Sequence, residues 1–201
     1  MDINATLVKE LREKTGVGMM DCKKALQESK GDLTLAVEYL RKKGIATAKK
    51  RGGRATSEGQ VASYIHPGAK IGVLVEVNCE TDFSGKTEDF TAFVKNIAMQ
   101  IAAANPLSVD REGIPASVLE KEREIYVGQA KESGKPDKVI DKIVEGKMSK
   151  FYSEVCLLEQ PYVKNPDITI QDLLNELMAK TGENILIRRF TRYQLGDSDE
   201  R

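Results

Sequence analysis

Three consecutive residues, Gly85, Lys86 and Thr87, have the types that end a phosphate-binding loop, in which backbone N–H groups and a lysine hold phosphate groups. Such a loop also requires a glycine five positions before Gly85, and Glu80 occupies that position. A carboxylate there would repel a phosphate group. The sequence therefore predicts that the protein does not itself bind a nucleotide, and we expect no cofactor.

The residues that could support catalysis or metal binding are few and widely separated. His66 is the only histidine, and a general base also needs a partner that positions it. The cysteines, Cys22, Cys79 and Cys156, are odd in number and form no Cys-x-x-Cys pair, so neither a disulfide framework nor a zinc site is indicated. We therefore expect a protein that is not an enzyme and holds no metal.

The segment Thr81-Asp82-Phe83 directly follows a predicted strand and precedes a glycine. A charged residue beside a large aromatic residue at the end of a strand is consistent with a projecting tip. The alternative is that Phe83 packs beneath the next helix while Asp82 faces water, as most aromatic side chains are at least partly buried. The spacing alone leaves both interpretations open.

A second unusual segment is Val17-Gly18-Met19-Met20. Two adjacent methionines in a loop cannot both point easily into a small helical core. An exposed, adaptable methionine suits a protein-binding surface. The alternative is that one of the two is buried and the other partly covered.

The first 44 residues predict three short helices, of which the third ends at Gly44. A boundary is expected at residues 45–58, where the basic, glycine-containing stretch 49–54 predicts an exposed linker. The alternative for this stretch is a patch that binds RNA phosphates, although no aromatic residue is interspersed for base stacking. The predicted organisation is a helical module over residues 1–54, a core domain over 55–196 and a flexible tail over 197–201.

The core domain is predicted to be α+β, because its strands and helices do not alternate regularly. A hairpin is expected from strands at 60–65 and 71–77, followed by an amphipathic helix that begins after Thr87 and ends at Asn105. Further helices are predicted at 115–133 and 137–152, and another lies between the cap residue Thr169 and Gly182. A last strand over 184–195 would join the hairpin in an antiparallel sheet packed against helices.

The composition limits the possible partners and location. The 201 residues contain 31 Lys plus Arg and 31 Asp plus Glu, so the formal net charge is zero. A dedicated nucleic-acid-binding protein usually has a basic excess, so no direct nucleic-acid binding is expected. No apolar run approaches the ~20 residues that span a bilayer, and no secretion signal is indicated, so a cytoplasmic protein without membrane contact is expected.

Two longer segments carry a family resemblance: LREKTGVGMMDCKKAL at residues 11–26 and EVNCETDFSGK at residues 76–86. They resemble the two signature regions of the bacterial elongation factor Ts family, in the expected order. The resemblance extends over essentially the whole chain, whose length is similar to that of the short form of the family. It implies a ubiquitin-associated-like N-terminal module followed by an α+β core.

The resemblance also implies a function, exchange of the guanine nucleotide on a GTPase partner, elongation factor Tu, in its GDP-bound and nucleotide-free forms. Asp82 and Phe83 would then be the tip that disturbs the magnesium and phosphate site of the partner, with Thr81 shaping that tip. The family pattern has Val and a small residue where this chain has Ser84 and Gly85, which puts a contact by Ser84 in doubt and predicts a more mobile tip.

The resemblance implies that Val17, Met19 and Met20 belong to the contact between the N-terminal module and the nucleotide-binding domain of the partner. Because short members of the family can pair through the core domain, the resemblance also suggests a homodimer through that domain. The alternative function, from the basic stretch alone, is a ribosome- or RNA-associated binding module.

Overall fold

The computed structural model describes residues 3–133 and 136–197, except for the side chains of 48, 49 and 137. The described part contains eight α-helices, one 3-10 helix at Leu157–Glu159 and five strands. The α-helices are α1 (Ala5–Thr15), α2 (Met19–Glu28), α3 (Leu33–Arg51), α4 (Asp82–Gly85), α5 (Glu88–Ala104), α6 (Ala116–Glu132), α7 (Asp137–Val155) and α8 (Ile170–Thr181). The strands are β1 (Glu58–Ile65), β2 (Ile71–Cys79), β3 (Pro161–Tyr162), β4 (Asn165–Thr169) and β5 (Ile185–Gln194).

The chain forms two compact units. The first contains the residues up to Gln60 together with Val77–Phe93 and Asp172–Leu186, and the second contains Val61–Glu76, Val94–Gln171 and the residues from Ile187 onward. The expected division into 1–54, 55–196 and a tail stays a prediction. Within that tail, residues 198–201 lie outside the described residues.

The three predicted N-terminal helices are confirmed as α1, α2 and α3. The side chain of Asn4 caps α1 by accepting a hydrogen bond from the N–H of Thr6 at 2.9 Å, and Gly16 ends the helix with a φ of +66°. The helices share a small apolar core, formed by Val8, Leu11, Cys22, Ala25, Leu26, Ala36 and Leu40. This local core explains why the first 40 residues fold as a bundle.

The predicted end of the third helix at Gly44 is wrong, because α3 continues to Arg51. The linker predicted at residues 49–54 therefore begins within this helix, and only its last three residues follow the helix. A Cβ atom at Gly44 would lie 3.3 Å from the Cβ of Ala179 in α8, so this glycine allows close helix contact and does not act as a helix stop. Arg51 donates a hydrogen bond to the carbonyl oxygen of Met178 at 3.1 Å, which attaches the last turn of α3 to α8.

The predicted α+β class is confirmed. The strands form a sheet in the order β1-β2-β5, and the β1–β2 hairpin is closed by a hydrogen bond from the N–H of His66 to the carbonyl oxygen of Ile71 at 2.9 Å. One face of the sheet and the apolar side of α5 are buried, as the alternating and helical spacings predicted. Thr87 begins α5 by accepting a hydrogen bond from the N–H of Phe90 at 3.3 Å.

The second unit contains a helical pair and a small hairpin. α6 and α7 share their own apolar core, which includes Ala130, Val144 and Met148. β3 pairs antiparallel with β4, a hairpin that the sequence analysis missed. Within the residues that the structure describes, no helix combines the length and the apolar character that a membrane span requires.

Candidate partner-binding site

The segment after β2 forms a short projecting helix, which we call the α4 tip (residues 81–86). Thr81 is extended, with φ −126° and ψ 152°, and its hydroxyl oxygen accepts a hydrogen bond from the N–H of Ser84 at 3.2 Å. This is the geometry of a helix N-cap. The cap turns the chain sharply from the strand and starts a helix of four residues.

The ring of Phe83 lies on the outer side of the α4 tip. Its exposed fraction is 79%, so the alternative in which Phe83 packs beneath the next helix is excluded. Exposing a large aromatic side chain to water is unfavourable in free energy. Burying it in a partner would contribute about 1.5–3 kcal/mol to the free energy of binding. The residue is therefore placed as a binding side chain would be.

Asp82 precedes the ring and is also exposed. Its Oδ2 atom accepts a hydrogen bond from the Nζ atom of Lys86 at 2.6 Å, one helical turn later. The hydrogen bond and the charge of Lys86 lower the pKa of the Asp82 carboxyl below its ordinary value. The α4 tip therefore presents an ionised carboxylate beside an apolar ring at neutral pH.

Ser84 and Gly85 form the inner side of the α4 tip. Ser84 is 3% exposed, and within the described residues its hydroxyl group has no hydrogen-bond partner. Gly85 is buried against Cys79 and Gly59, and its carbonyl oxygen accepts a hydrogen bond from the Nε2 atom of Gln60 at 2.7 Å. Both residues therefore anchor the α4 tip to its surroundings, and the more mobile tip expected from Ser84 and Gly85 stays a prediction.

Two carboxylates fix the loops beneath the α4 tip. Both oxygens of Glu183 accept hydrogen bonds from Thr81, from its hydroxyl at 2.6 Å and from its N–H at 3.1 Å. Glu80 accepts a hydrogen bond from the N–H of Asn184 at 2.6 Å and pairs with Arg54 at 3.4 Å. Sequence reasoning missed Glu80 and Glu183 as contributors to the site, since nothing in their spacing shows that they meet.

The second predicted segment lies at the start of α2. Met19 and Met20 are exposed by 53% and 77%, so both methionines are exposed and the alternative of one buried residue is excluded. Val17 is half-buried and packs against the three-helix core. Its carbonyl oxygen accepts a weak hydrogen bond from the thiol of Cys22 at 3.5 Å, which ties the loop to α2.

Among the described side chains of the basic stretch at residues 49–54, Arg51 and Arg54 make internal contacts, whereas Lys50 is exposed. Arg51 donates to the carbonyl oxygen of Met178, and Arg54 pairs with Glu80 while its own carbonyl oxygen accepts a hydrogen bond from the side chain of Asn184. The side chain of Lys49 lies outside the described residues. Charges that serve such internal contacts are less available for RNA phosphates, which disfavours the RNA-binding alternative.

No site for a metal ion is evident within the described part of the chain. There, no group of three or more His, Cys, Asp or Glu side chains could hold a metal ion. His66 lies beside Tyr64, whose hydroxyl oxygen is 3.1 Å from its Nδ1 atom, on an exposed part of the hairpin.

The chain is similar to known proteins over nearly its whole length. The sequence model described as Elongation factor TS matches residues 44–197. Elongation factor Ts of Syntrophobacter fumaroxidans is 63% identical over 196 residues, which cover 98% of either chain. That of Desulfotalea psychrophila is 62% identical over 196 residues, 98% of this chain and 100% of the relative. That of Geotalea daltonii is 61% identical over 201 residues, 100% of this chain and 93% of the relative. The chain therefore belongs to the elongation factor Ts family.

Proposed function

We propose that the protein is a guanine-nucleotide exchange factor for elongation factor Tu in the cytoplasm. It binds the GDP-bound GTPase, disturbs the magnesium and phosphate site, releases GDP and stabilises the nucleotide-free GTPase until GTP binds, which supports translation elongation. The protein acts by binding and carries out no bond chemistry. The observation that carries this proposal is the exposed ring of Phe83 beside the carboxylate of Asp82 on an anchored tip.

The arrangement suits displacement of a cation and its phosphate ligand. An apolar ring that enters a polar site separates the groups that coordinate a bound cation. A carboxylate beside it competes for the cation and repels phosphate. The α4 tip would make its contacts in this site only when the nucleotide is absent. Its binding therefore shifts the GTPase toward the nucleotide-free state.

Thermodynamic linkage determines which form of the GTPase the exchange factor must bind more tightly. If the exchange factor weakens GDP binding, GDP weakens binding of the exchange factor by the same free energy. The protein must therefore bind the nucleotide-free GTPase more tightly than the GDP-bound form. A protein with equal affinity for both would not promote release.

The α4 tip alone does not supply the whole effect. An acceleration of GDP release by ~10⁴-fold requires roughly 5.5 kcal/mol. Burial of one phenylalanine contributes about 1.5–3 kcal/mol of this. The remainder would come from further contacts, for which Val17, Met19 and Met20 of the N-terminal module are the proposed residues.

Gel filtration of the two purified proteins tests this function. Mixed without nucleotide, they should elute as one complex, and an excess of GDP with magnesium should separate them. A complex that forms equally well with and without GDP would contradict the proposal. So would the absence of any complex when nucleotide is removed.

We also propose a homodimer that forms through the exposed face of the sheet. Val61, Ile65, Leu74, Tyr193 and Leu195, all in the second unit, are apolar residues of this sheet and its margin that are more than half exposed. Exposed apolar patches of this kind typically mark protein contacts. Sedimentation equilibrium should give a dimer for the native protein and a monomer for Leu74→Glu, and a monomer for both would contradict this assignment.

A further inference from the structure

Both carboxylate oxygens of Glu183 accept hydrogen bonds from one residue of the α4 tip, Thr81. Glu183 follows Gly182, whose φ of +79° ends α8, so its side chain starts from a sharp turn. One oxygen accepts from the hydroxyl of Thr81 at 2.6 Å and the other from the N–H of Thr81 at 3.1 Å. Hydrogen bonds to a carboxylate are stronger than those between neutral groups.

This contact also sets the direction of the hydroxyl group of Thr81. A hydroxyl has one hydrogen to donate, and Thr81 donates it to Glu183. A lone pair of the same oxygen is then left to accept from the N–H of Ser84 at 3.2 Å. Glu183 therefore maintains the N-cap of α4 without contacting the helix itself.

α4 needs such an external anchor because it is too short to be stable alone. It contains four residues, and fixing the first turn of a helix costs more than its hydrogen bonds return. The neighbouring bond from the N–H of Asn184 to Glu80, at 2.6 Å, holds the same two loops together. The direction of Phe83 thus depends on the loop between α8 and β5.

We propose that Glu183 is a positioning residue for nucleotide exchange: it holds Thr81, and through it the α4 tip, in the direction that lets Phe83 enter the partner. This inference rests on the proposed exchange function. Glu183 itself makes no contact with the partner in this role. Its loss lowers the rate of GDP release from the bound complex and leaves the formation of the complex unchanged.

Two variants test the role of the carboxylate. Glu183→Ala removes both oxygen acceptors. Glu183→Gln keeps the shape of the side chain but replaces one oxygen with an NH₂ group, which faces a donor group of Thr81. In stopped-flow GDP release, Glu183→Ala should lower the maximal rate about 10-fold, and Glu183→Gln should have an intermediate effect. The concentration of exchange factor that gives half the maximal rate should change less than about twofold in both variants, because Glu183 does not contribute to the affinity for the GTPase.

Hydrogen–deuterium exchange of the free protein gives a readout that does not depend on the GTPase. The peptide covering residues 79–86 should exchange faster in Glu183→Ala, because Thr81 and Ser84 lose their N–H protection. The matched control is Glu159→Gln, since Glu159 also receives two hydrogen bonds from one residue, Arg111, at 2.5 and 2.7 Å. This control should change neither readout.

The background variant Phe83→Ala shows whether Glu183 acts through the ring. If it does, adding Glu183→Ala to the Phe83→Ala variant lowers the rate of GDP release no further, because the effects of coupled residues are not additive.

Two results for Glu183→Ala would overturn the inference. One is unchanged amide exchange at 79–86 together with an unchanged maximal rate. The other is a raised half-saturating concentration at an unchanged maximal rate. If the native protein does not accelerate GDP release but Glu183→Ala still speeds amide exchange at residues 79–86, the proposed function is refuted. The role of Glu183 in anchoring the tip would still stand. If Glu183→Ala does not fold in thermal melts, the same outcomes are read from Glu183→Gln.

Discussion

Phe83 and Ser84 are consecutive residues of α4, yet the side chain of the first is 79% exposed and that of the second 3%. The helix directs the first side chain outward and the second inward, since successive residues lie about 100° apart around a helix axis. Ser84 and Gly85 hold the helix in place, while Phe83 and the carboxylate of Asp82, which pairs with Lys86, remain exposed. Within one helical turn, one pair of residues is thus exposed and the other is buried.

Phe83→Ala should slow GDP release from elongation factor Tu by ~10–100-fold, which corresponds to a loss of roughly 1.4–2.8 kcal/mol of transition-state stabilisation. The reason is that the exposed ring is buried only when it enters the partner. Stopped-flow measurement with a fluorescent GDP analogue gives the rate. Because Phe83 is 79% exposed, the thermal midpoint should stay unchanged.

The matched control for this prediction is Leu107→Ala. Leu107 is a large apolar residue that is 50% exposed, and it lies in the second unit outside the sheet surface proposed for the homodimer. The control should retain the normal exchange rate within about twofold. Equal loss in both variants would mean that the effect reflects removal of any exposed apolar side chain, and unchanged rates in Phe83→Ala would remove this residue from the mechanism.

Ser84→Ala should stabilise the protein by about 1 kcal/mol, because it removes a buried hydroxyl group that has no partner among the described residues. Urea unfolding measures the change. Ser153→Ala is the control, since its exposed hydroxyl donates to the carbonyl oxygen of Lys150 at 2.7 Å and its removal should have little effect. A destabilised Ser84→Ala would show that the hydroxyl has a role in the fold.

The sequence was sufficient where the structure depends on local spacing. The apolar residues of α5 recur at helical intervals, and the helix indeed starts after Thr87 and ends before Asn105. The alternation in β2 likewise predicted its buried face, with Val73, Val75 and Val77. The positions at which these elements end follow from residues within the same segment.

The sequence was insufficient where distant residues decide the outcome. Gly44 was predicted to end α3, but its contact with Ala179 in α8 allows the helix to continue. Thr81 and Glu183 are separated by 102 positions, and no periodicity indicates that they meet. Spacing also left the exposure of Phe83 undecided, because an aromatic residue after a strand can face either way.

Gly59→Ala should destabilise the protein by several kcal/mol, since Gly59 has a φ of +138° and an added Cβ atom would lie 2.1 Å from the carbonyl oxygen of Val77. The strand partner and the backbone at Asn78 leave no room to move aside. Gly146→Ala is the control: it lies in α7 with nothing near its position, so alanine should stabilise the helix by about 0.5–1 kcal/mol. Thermal unfolding should show opposite signs for the two variants.

All three cysteines should react slowly with thiol reagents in the native protein. Cys22, Cys79 and Cys156 are fully buried, and burial raises the pKa of each thiol above its ordinary value of 9.0. Because the thiolate is the reactive form, both access and ionisation limit the reaction. A chromogenic disulfide reagent at pH ~8 should label three thiols rapidly in concentrated guanidinium chloride and far more slowly without it. Rapid labelling of the native protein would contradict this burial.

The pair of Asp82 and Lys86 should keep the tip carboxylate ionised throughout the neutral range. Lys86 lowers the pKa of Asp82 below its ordinary 3.8, and Asp82 raises the pKa of Lys86 above its ordinary 10.5. A lowered carboxyl pKa gives a contribution to stability that is present above pH ~4 and lost as the pH falls through the folded pKa, while a raised lysine pKa gives one that is lost as the pH rises past ~10.5. Within that window neither group titrates.

Lys86→Met should therefore raise the pKa of Asp82 back toward 3.8, which carboxyl-carbon NMR titration measures directly. Arg111, which pairs with Glu159 in the second unit, offers the control Arg111→Met, and this change should leave the titration of Asp82 unaltered. The rate of GDP release should show no step attributable to Asp82 between pH ~6 and ~8, since its carboxyl group is ionised throughout that range. A step there that Asp82→Asn abolishes would show that the carboxyl group takes up a proton during exchange, and a repulsive role for its charge would then fail.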